Sequence, residues 1–145
     1  MTGQSASSFK VKKGKVLIVE DHSYFAKELI EYLQDDCSYE VVHASNFLDA
    51  VKLIKKENKF DFSILDILLQ NGKTGVDIAE RFKDQLGHIM FVTGCVDEAV
   101  LNKIENYAST SKLHEIWSPL EKFLAGGYPK INENETTSRF IKKAS

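Results

Sequence analysis

Three acidic residues at the ends of two short apolar runs have the clearest capacity for chemistry in this 145-residue chain. Phe62-Ser63-Ile64-Leu65 closes on Asp66, and Lys15-Val16-Leu17-Ile18-Val19 closes on the pair Glu20-Asp21. Each run has the length and near-continuous hydrophobicity of a strand buried on both faces of a parallel sheet. In an open α/β sheet, ligands bind outside the carboxyl ends of the strands. Carboxylates placed there are therefore candidates for chemistry and not only for turn capping. If the two strands are neighbours, three carboxylates converge. Like charges 4 Å apart repel by roughly 4 kcal/mol at an effective dielectric near 20, so the cluster needs a cation or a proton on one member. A hard divalent cation fits, and magnesium fits best: it takes one or two carboxylates, keeps several waters and completes its shell with a phosphoryl oxygen.

The elements that must position these groups follow from periodicity. After the first strand, about 15–20, Ser23 is a plausible N-cap, and Phe25, Leu29 and Leu33 repeat at helical spacing over about 23–35. Residues 39–43 read as the second strand. Ser45 or Asn46 caps a helix with Phe47, Ala50, Val51 and Ile54 on one face, ending near Asn58. The Asp66 strand is third, and Gly75 introduces a helix over about 76–86. His88 to Val92 is the fourth strand, ending in Thr93-Gly94. A helix is expected over about 96–109, with Val100, Ile104, Tyr107 and Ala108 inward, and a fifth strand over Leu113–Trp117, closed by Ser118-Pro119. Alternating strands and helices predict an α/β class, doubly wound, five-stranded parallel sheet. In the order 2-1-3-4-5, strands one and three flank the point where the strand order reverses, which is where Glu20, Asp21 and Asp66 must meet.

Composition narrows the function classes. The length suits one domain, and the formal net charge of -2 gives no electrostatic case for nucleic acid. Cys37 and Cys95 are far apart, and the four histidines form no ligand pattern, so a disulfide framework or zinc site is not indicated. No apolar run approaches the roughly 20 residues of a membrane helix, and the start lacks a signal-peptide core; a cytoplasmic location without membrane attachment is expected. Leu120–Leu124 reads as a short last helix stopped by Gly126-Gly127 and Pro129. The expected organisation is a flexible segment 1–13, one domain over 14–125 and a polar, basic-ended tail over 126–145.

An acidic pair after strand one, an aspartate after strand three with a glycine nine positions on, and Thr-Gly after strand four resemble the receiver domain of two-component response regulators. The resemblance covers about residues 14–125 and implies the flavodoxin-like receiver fold. It implies that Asp66 is the phosphoacceptor, that Glu20, Asp21, Asp66 and the backbone carbonyl of Leu68 hold Mg2+, and that Thr93 binds a phosphoryl oxygen. The chemistry agrees: a carboxylate can attack phosphorus, and a metal ion offsets charge in a loose transition state. The implied partners are a histidine kinase or histidine phosphotransfer protein and a downstream protein target. Such a domain is no enzyme beyond assisting its own phosphorylation and dephosphorylation.

Family members usually carry a lysine immediately before the proline after strand five, and with the fifth strand at 113–117 that position is Ser118. The aromatic often found three residues before the lysine falls on Glu115. On this register Lys112 reaches the site only if the loop and strand are registered otherwise, and the phosphorylation-coupled switch lacks its usual cation. A stand-alone receiver phosphorylated on Asp66 is the first reading; a degenerate receiver acting as a phosphorylation-independent binding module is the alternative. Gly72-Lys73-Thr74 lacks the upstream glycine of a phosphate loop, and Leu68 stands where a haloacid-dehalogenase-type phosphotransferase needs a second acid.

Overall fold

The structure, a computed structural model, describes residues 11–69, 74–94 and 98–131. Five strands alternate with helices: β1 (Lys15–Val19), α1 (Ser23–Glu31), β2 (Glu40–Ala44), α2 (Phe47–Glu57), β3 (Phe62–Asp66), α3 (Gly75–Arg81), β4 (His88–Thr93), α4 (Glu98–Lys103), β5 (Ala108–Ser111) and α5 (Trp117–Leu124). All pairings are parallel, and the strand order is β2-β1-β3-β4-β5. The doubly wound order expected from the sequence is the order observed.

Alternation along each strand builds a core on both faces. Val16 and Ile18 of β1 pack with Ile64, Met90, Val92 and Ala108 against Leu29 and Leu33 of the first helical segment and Leu120 and Phe123 of α5. Leu17 and Val19 point the other way, with Leu65 and Phe91, to meet Ala50 and Ile54 of α2 and Ile78 and Ala79 of α3. Two-sided burial is why these strands read as continuous apolar runs. The polar exception inside β3, Ser63, donates its hydroxyl to the Leu86 carbonyl at 2.8 Å, so it is buried without an unmet donor.

Local chemistry sets the helix ends. The N-cap of α1 is His22, not Ser23: its Nδ1 accepts from the Phe25 N–H, and the helix continues as a wider π turn over Tyr32–Asp36. Asn46 is the N-cap of α2, and Asn58 ends it in a left-handed conformation. Thr74 and Asp77 form a reciprocal capping box at the start of α3. That helix is shorter than expected, stopping at Arg81.

The fifth strand is not where hydrophobic patterning put it. β5 is Ala108–Ser111, and the expected strand Leu113–Trp117 is instead a turn leading into α5. The expected helix over 96–109 is correspondingly cut back: α4 ends at Lys103, and Ala108 is strand. An Ala-Ser-Thr-Ser run has none of the branched or aromatic side chains that mark a strand. It is buried because neighbouring segments cover it, and its polar atoms are used: the Ser109 N–H donates to Pro129 O, Ser109 Oγ accepts from the Ile131 N–H, and Ser111 Oγ accepts from the Leu113 N–H. Pro119 belongs to the first turn of α5, where its missing N–H costs nothing, and Glu115 accepts the Ser118 N–H through its side chain. Ile131, in the expected tail, is buried, while residues 1–10 of the expected flexible segment and 132–145 of the tail lie outside the described residues.

Gly75 ties α3 to the end of β3. A Cβ at this position would lie 2.1 Å from the Asp66 carbonyl oxygen, while the Gly75 N–H donates to Ile67 O at 2.9 Å. The close approach of two backbones explains the glycine nine residues after Asp66. Gly75→Ala is expected to lower stability by more than about 2 kcal/mol, because backbone atoms must separate to admit the methyl group. Urea denaturation giving an unchanged midpoint would show that the loop relaxes freely.

Candidate functional site: a carboxylate pocket paired with Lys112

Val19 and Leu65 are partners in the β1–β3 register, so the chain places Glu20 and Asp66 side by side as it leaves the two strands. Both carboxylates are nearly sealed from solvent, at 2% and 4% exposure. One oxygen from each of Glu20, Asp21 and Asp66 lies within 4.8 Å of the others. The structure thus brings together the three acids expected to meet. Thr93, fully buried at the end of β4, lies one residue beyond Val92, the register partner of Asp66. Leu68 has an exposed side chain, and its N–H donates to Asp66 Oδ1 at 3.2 Å. A bridge between Leu68 and Thr74 closes this loop.

Lys112, which reaches the site only on a register other than the expected one, is brought there by the observed fifth strand. It follows β5 directly, its N–H donating to Thr93 O at 2.8 Å, and its ammonium lies 2.8 Å from the Glu20 carboxylate and 3.0 Å from Asp66 Oδ2. The Phe25 ring lies below the ammonium, 4.9 Å from centroid to Nζ. The pocket therefore contains its cation. Ser118, expected in the lysine position, sits in the first turn of α5 and is corrected by this geometry. The position three residues before the lysine becomes Ser109 instead of Glu115. Pro119 opens a helix and does not close a strand. The available signal was electrostatic: three converging carboxylates demand a cation.

Hydrogen bonds fix the acids in place. The Glu20 side chain accepts the His22 N–H at 3.0 Å, and the Glu20 carbonyl accepts from His43 Nε2 at 3.0 Å, which requires the proton on that nitrogen. Burial pushes the Asp66 carboxyl up to about 6; the Glu20 charge adds to the rise, and the hydrogen bond from Lys112 opposes it. Desolvation by itself lowers Lys112, but its hydrogen bonds to Glu20 and Asp66 outweigh that and hold the ammonium above its usual range.

Residues 16–110 match the response regulator receiver domain family. The chain belongs to this family. The receiver resembles a two-component response regulator of the LuxR family from Aurantimonas, with a TM-score of 0.69, 17% identity and coverage of 91% of this chain and 99% of that one. It also resembles a CheY-like receiver domain from Methanospirillum hungatei, with a TM-score of 0.69, 22% identity and coverage of 81% and 94%. A third similar structure is a Burkholderia pseudomallei response regulator with a phosphorylated aspartic acid, a calcium ion and citrate, at a TM-score of 0.65, 23% identity and coverage of 90% and 75%. At these identities the likeness establishes the receiver fold. No curated protein matches the chain in sequence. Among the described residues, no helix is long and apolar enough to cross a membrane.

A carboxyl whose folded pKa exceeds its unfolded one favours the folded state below the unfolded value, near 3.8, and loses that contribution as pH rises through about 6. Without divalent cations, Asp66→Asn should therefore be more stable than wild type at pH 7.5, by at most about 3 kcal/mol for a rise of roughly two units. The two proteins should converge as pH falls toward 4. Urea midpoints measured across this range check the sign; a mutant less stable at pH 7.5 would mean that the Lys112 bond outweighs burial.

Proposed function

We propose that this receiver accepts a phosphoryl group on Asp66 from the phosphohistidine of a histidine kinase or histidine phosphotransfer protein, and signals through protein contact with a downstream target. The observation that carries the reading is the position of Asp66, buried at the reversal of strand order with two further acids beside it and the Lys112 ammonium 3.0 Å away. The donor set suits a magnesium ion. All three side chains offer hard oxygens, and their 4.8 Å spread is a little wider than the roughly 4.2 Å across an octahedral magnesium shell. Glu20, Asp21 and Asp66, with the Leu68 backbone carbonyl, would hold it. Bound there, the ion would supply charge neutralisation and orientation of the phosphoryl oxygens.

The chain's own residues account for the rest of the transfer. An ionised Asp66 oxygen attacks phosphorus in line as the bond from phosphorus to the donor histidine nitrogen breaks, and the nitrogen leaves with its electron pair. Burial favours this nucleophile by removing the water shell that an exposed carboxylate would shed. Lys112 would turn from the carboxylates to the transferred group, a charge-assisted hydrogen bond of about 1.5–3 kcal/mol. The Thr93 hydroxyl would donate to a second phosphoryl oxygen. Hydrolysis by water later restores Asp66, so the protein assists reactions of its own side chain and turns over no other substrate. The alternative, a phosphorylation-independent binding module, drew its support from a missing lysine; Lys112 removes that support.

With magnesium and acetyl phosphate, wild type should gain one phosphoryl group by intact mass and Asp66→Asn none. Asp21→Ala should weaken magnesium binding by tenfold or so, since it removes a ligand and part of the attracting charge. Lys112→Ala should destabilise the phosphorylated form relative to wild type, whereas Ser118→Lys should change neither measurement. Wild type that binds magnesium and gains no phosphoryl group would return the binding-module reading.

A further inference from the structure

Lys112 is held from a second side by a group that carries no charge. Its ammonium offers three N–H donors, and the pocket takes two of them, at 2.8 Å to Glu20 and 3.0 Å to Asp66. The Phe25 ring lies against the same ammonium, with its centroid 4.9 Å from Nζ, inside the roughly 6 Å over which a ring face attracts a cation. The first turn of α1 fixes that ring. Glu20 accepts the His22 N–H through its side chain, His22 Nδ1 accepts the Phe25 N–H at 3.4 Å, and His22 O accepts the Ala26 N–H at 3.0 Å. Half-buried itself, Phe25 packs on the core shared by the sheet, α1 and α5. The turn that supplies one carboxylate therefore also supplies the ring, and the Lys112 side chain is left only 20% exposed.

We propose that Phe25 is a positioning residue: its ring face holds the Lys112 ammonium against Glu20 and Asp66 and so raises the magnesium concentration at which the pocket fills. The proposal rests on the reading of Glu20, Asp21 and Asp66 as a magnesium site. Two of those three ligands are the carboxylates that Lys112 occupies, so the metal and the ammonium compete for the same oxygens. Whatever strengthens the ammonium's hold weakens the apparent affinity for the metal in proportion. The backbone of Lys112 is anchored by its N–H to Thr93 O, but the ammonium stands at the end of a flexible four-carbon stem. Turning outward would return that ammonium to water, and the ring offsets this pull. An aliphatic side chain would fill the same space without the attraction, which comes from the negative face of the aromatic system. Aromaticity at position 25 is the specific requirement, and apolar bulk alone does not meet it.

Magnesium binding by calorimetry and proton NMR of the metal-free protein test this on the full chain as wild type, Phe25→Leu, Phe25→Tyr, Lys112→Gln and the double variant Phe25→Leu/Lys112→Gln. Without metal, ring-current shielding should move the Lys112 ε-methylene protons upfield in wild type and Phe25→Tyr, and Phe25→Leu should return them to their ordinary position. Phe25→Leu should tighten magnesium binding about fivefold, the effect of losing a partly desolvated cation–ring contact, and Phe25→Tyr should match wild type. In the Lys112→Gln background, Phe25→Leu should change the affinity by less than about twofold, because no ammonium remains to be held. An effect of equal size in both backgrounds means that Phe25 acts through packing, and overturns the proposal. Shielding lost in Phe25→Leu with magnesium affinity unchanged also overturns it and leaves the magnesium site standing. Magnesium that binds none of the five proteins defeats the reading of the pocket as a metal site, and the proposal falls with it.

Discussion

Confining like charges in a nearly dry crevice is the constraint that organises this molecule. Glu20 and Asp66 are 2% and 4% exposed, and two carboxylates so placed repel strongly unless a cation or a proton intervenes. Lys112 meets the demand in the absence of metal, at 2.8 and 3.0 Å, with the Phe25 ring against its ammonium. The residual cost shows in the raised Asp66 carboxyl. A site built this way attracts a divalent cation or a proton, and in the receiver family that susceptibility is turned to phosphoryl chemistry. Asp66 is thus held where burial disfavours its charged form, which lowers stability once the carboxyl ionises.

The surrounding architecture can be read as the means of holding that cluster. The reversal of strand order brings the ends of β1 and β3 together without helices intervening above them. The turn after β3 is held by the Leu68–Thr74 bridge, the capping box at the start of α3 and the absence of a side chain at Gly75, which lets the helix backbone reach the Asp66 carbonyl. β4 and β5 complete the enclosure: Thr93 ends one, Lys112 follows the other, and a backbone hydrogen bond joins them. The cation is thus delivered by the edge strand, and the edge strand is in turn covered by the Gly127–Ile131 segment. Edge strands offer unpaired backbone groups, and covering one is a common means of suppressing unwanted pairing. Here the cover is attached to the strand that carries the site's lysine.

The first four strands, the strand order and the three acids were legible in the sequence because each depends on local pattern. Buried parallel strands announce themselves as apolar runs, and the residue after such a run falls at the ligand-binding end of the sheet. The fifth strand was illegible for the converse reason. Ala108–Ser111 is buried by what packs over it, by α5 on one side and by the residues after α5 along its edge, so its own side chains need not be apolar. Leu113–Trp117 looked more strand-like, yet Leu113 is exposed and Glu115 spends its carboxylate on the Ser118 N–H. Moving the strand moved the lysine with it, from an apparent Ser118 to Lys112.

By itself, then, the sequence determined the α/β class, the order of elements through β4 and the convergence of Glu20, Asp21 and Asp66, since periodicity and strand-end position are properties of consecutive residues. Only the tertiary structure decided which lysine serves the pocket and where the chain goes after α5. Lys112 is 46 residues from Asp66 and 92 from Glu20, and its pairing with them depends on the register of β5 against β4. That register is set by contacts between distant segments, among them the Ser109 hydrogen bonds to Pro129 and Ile131, whose energies no local stretch of sequence displays.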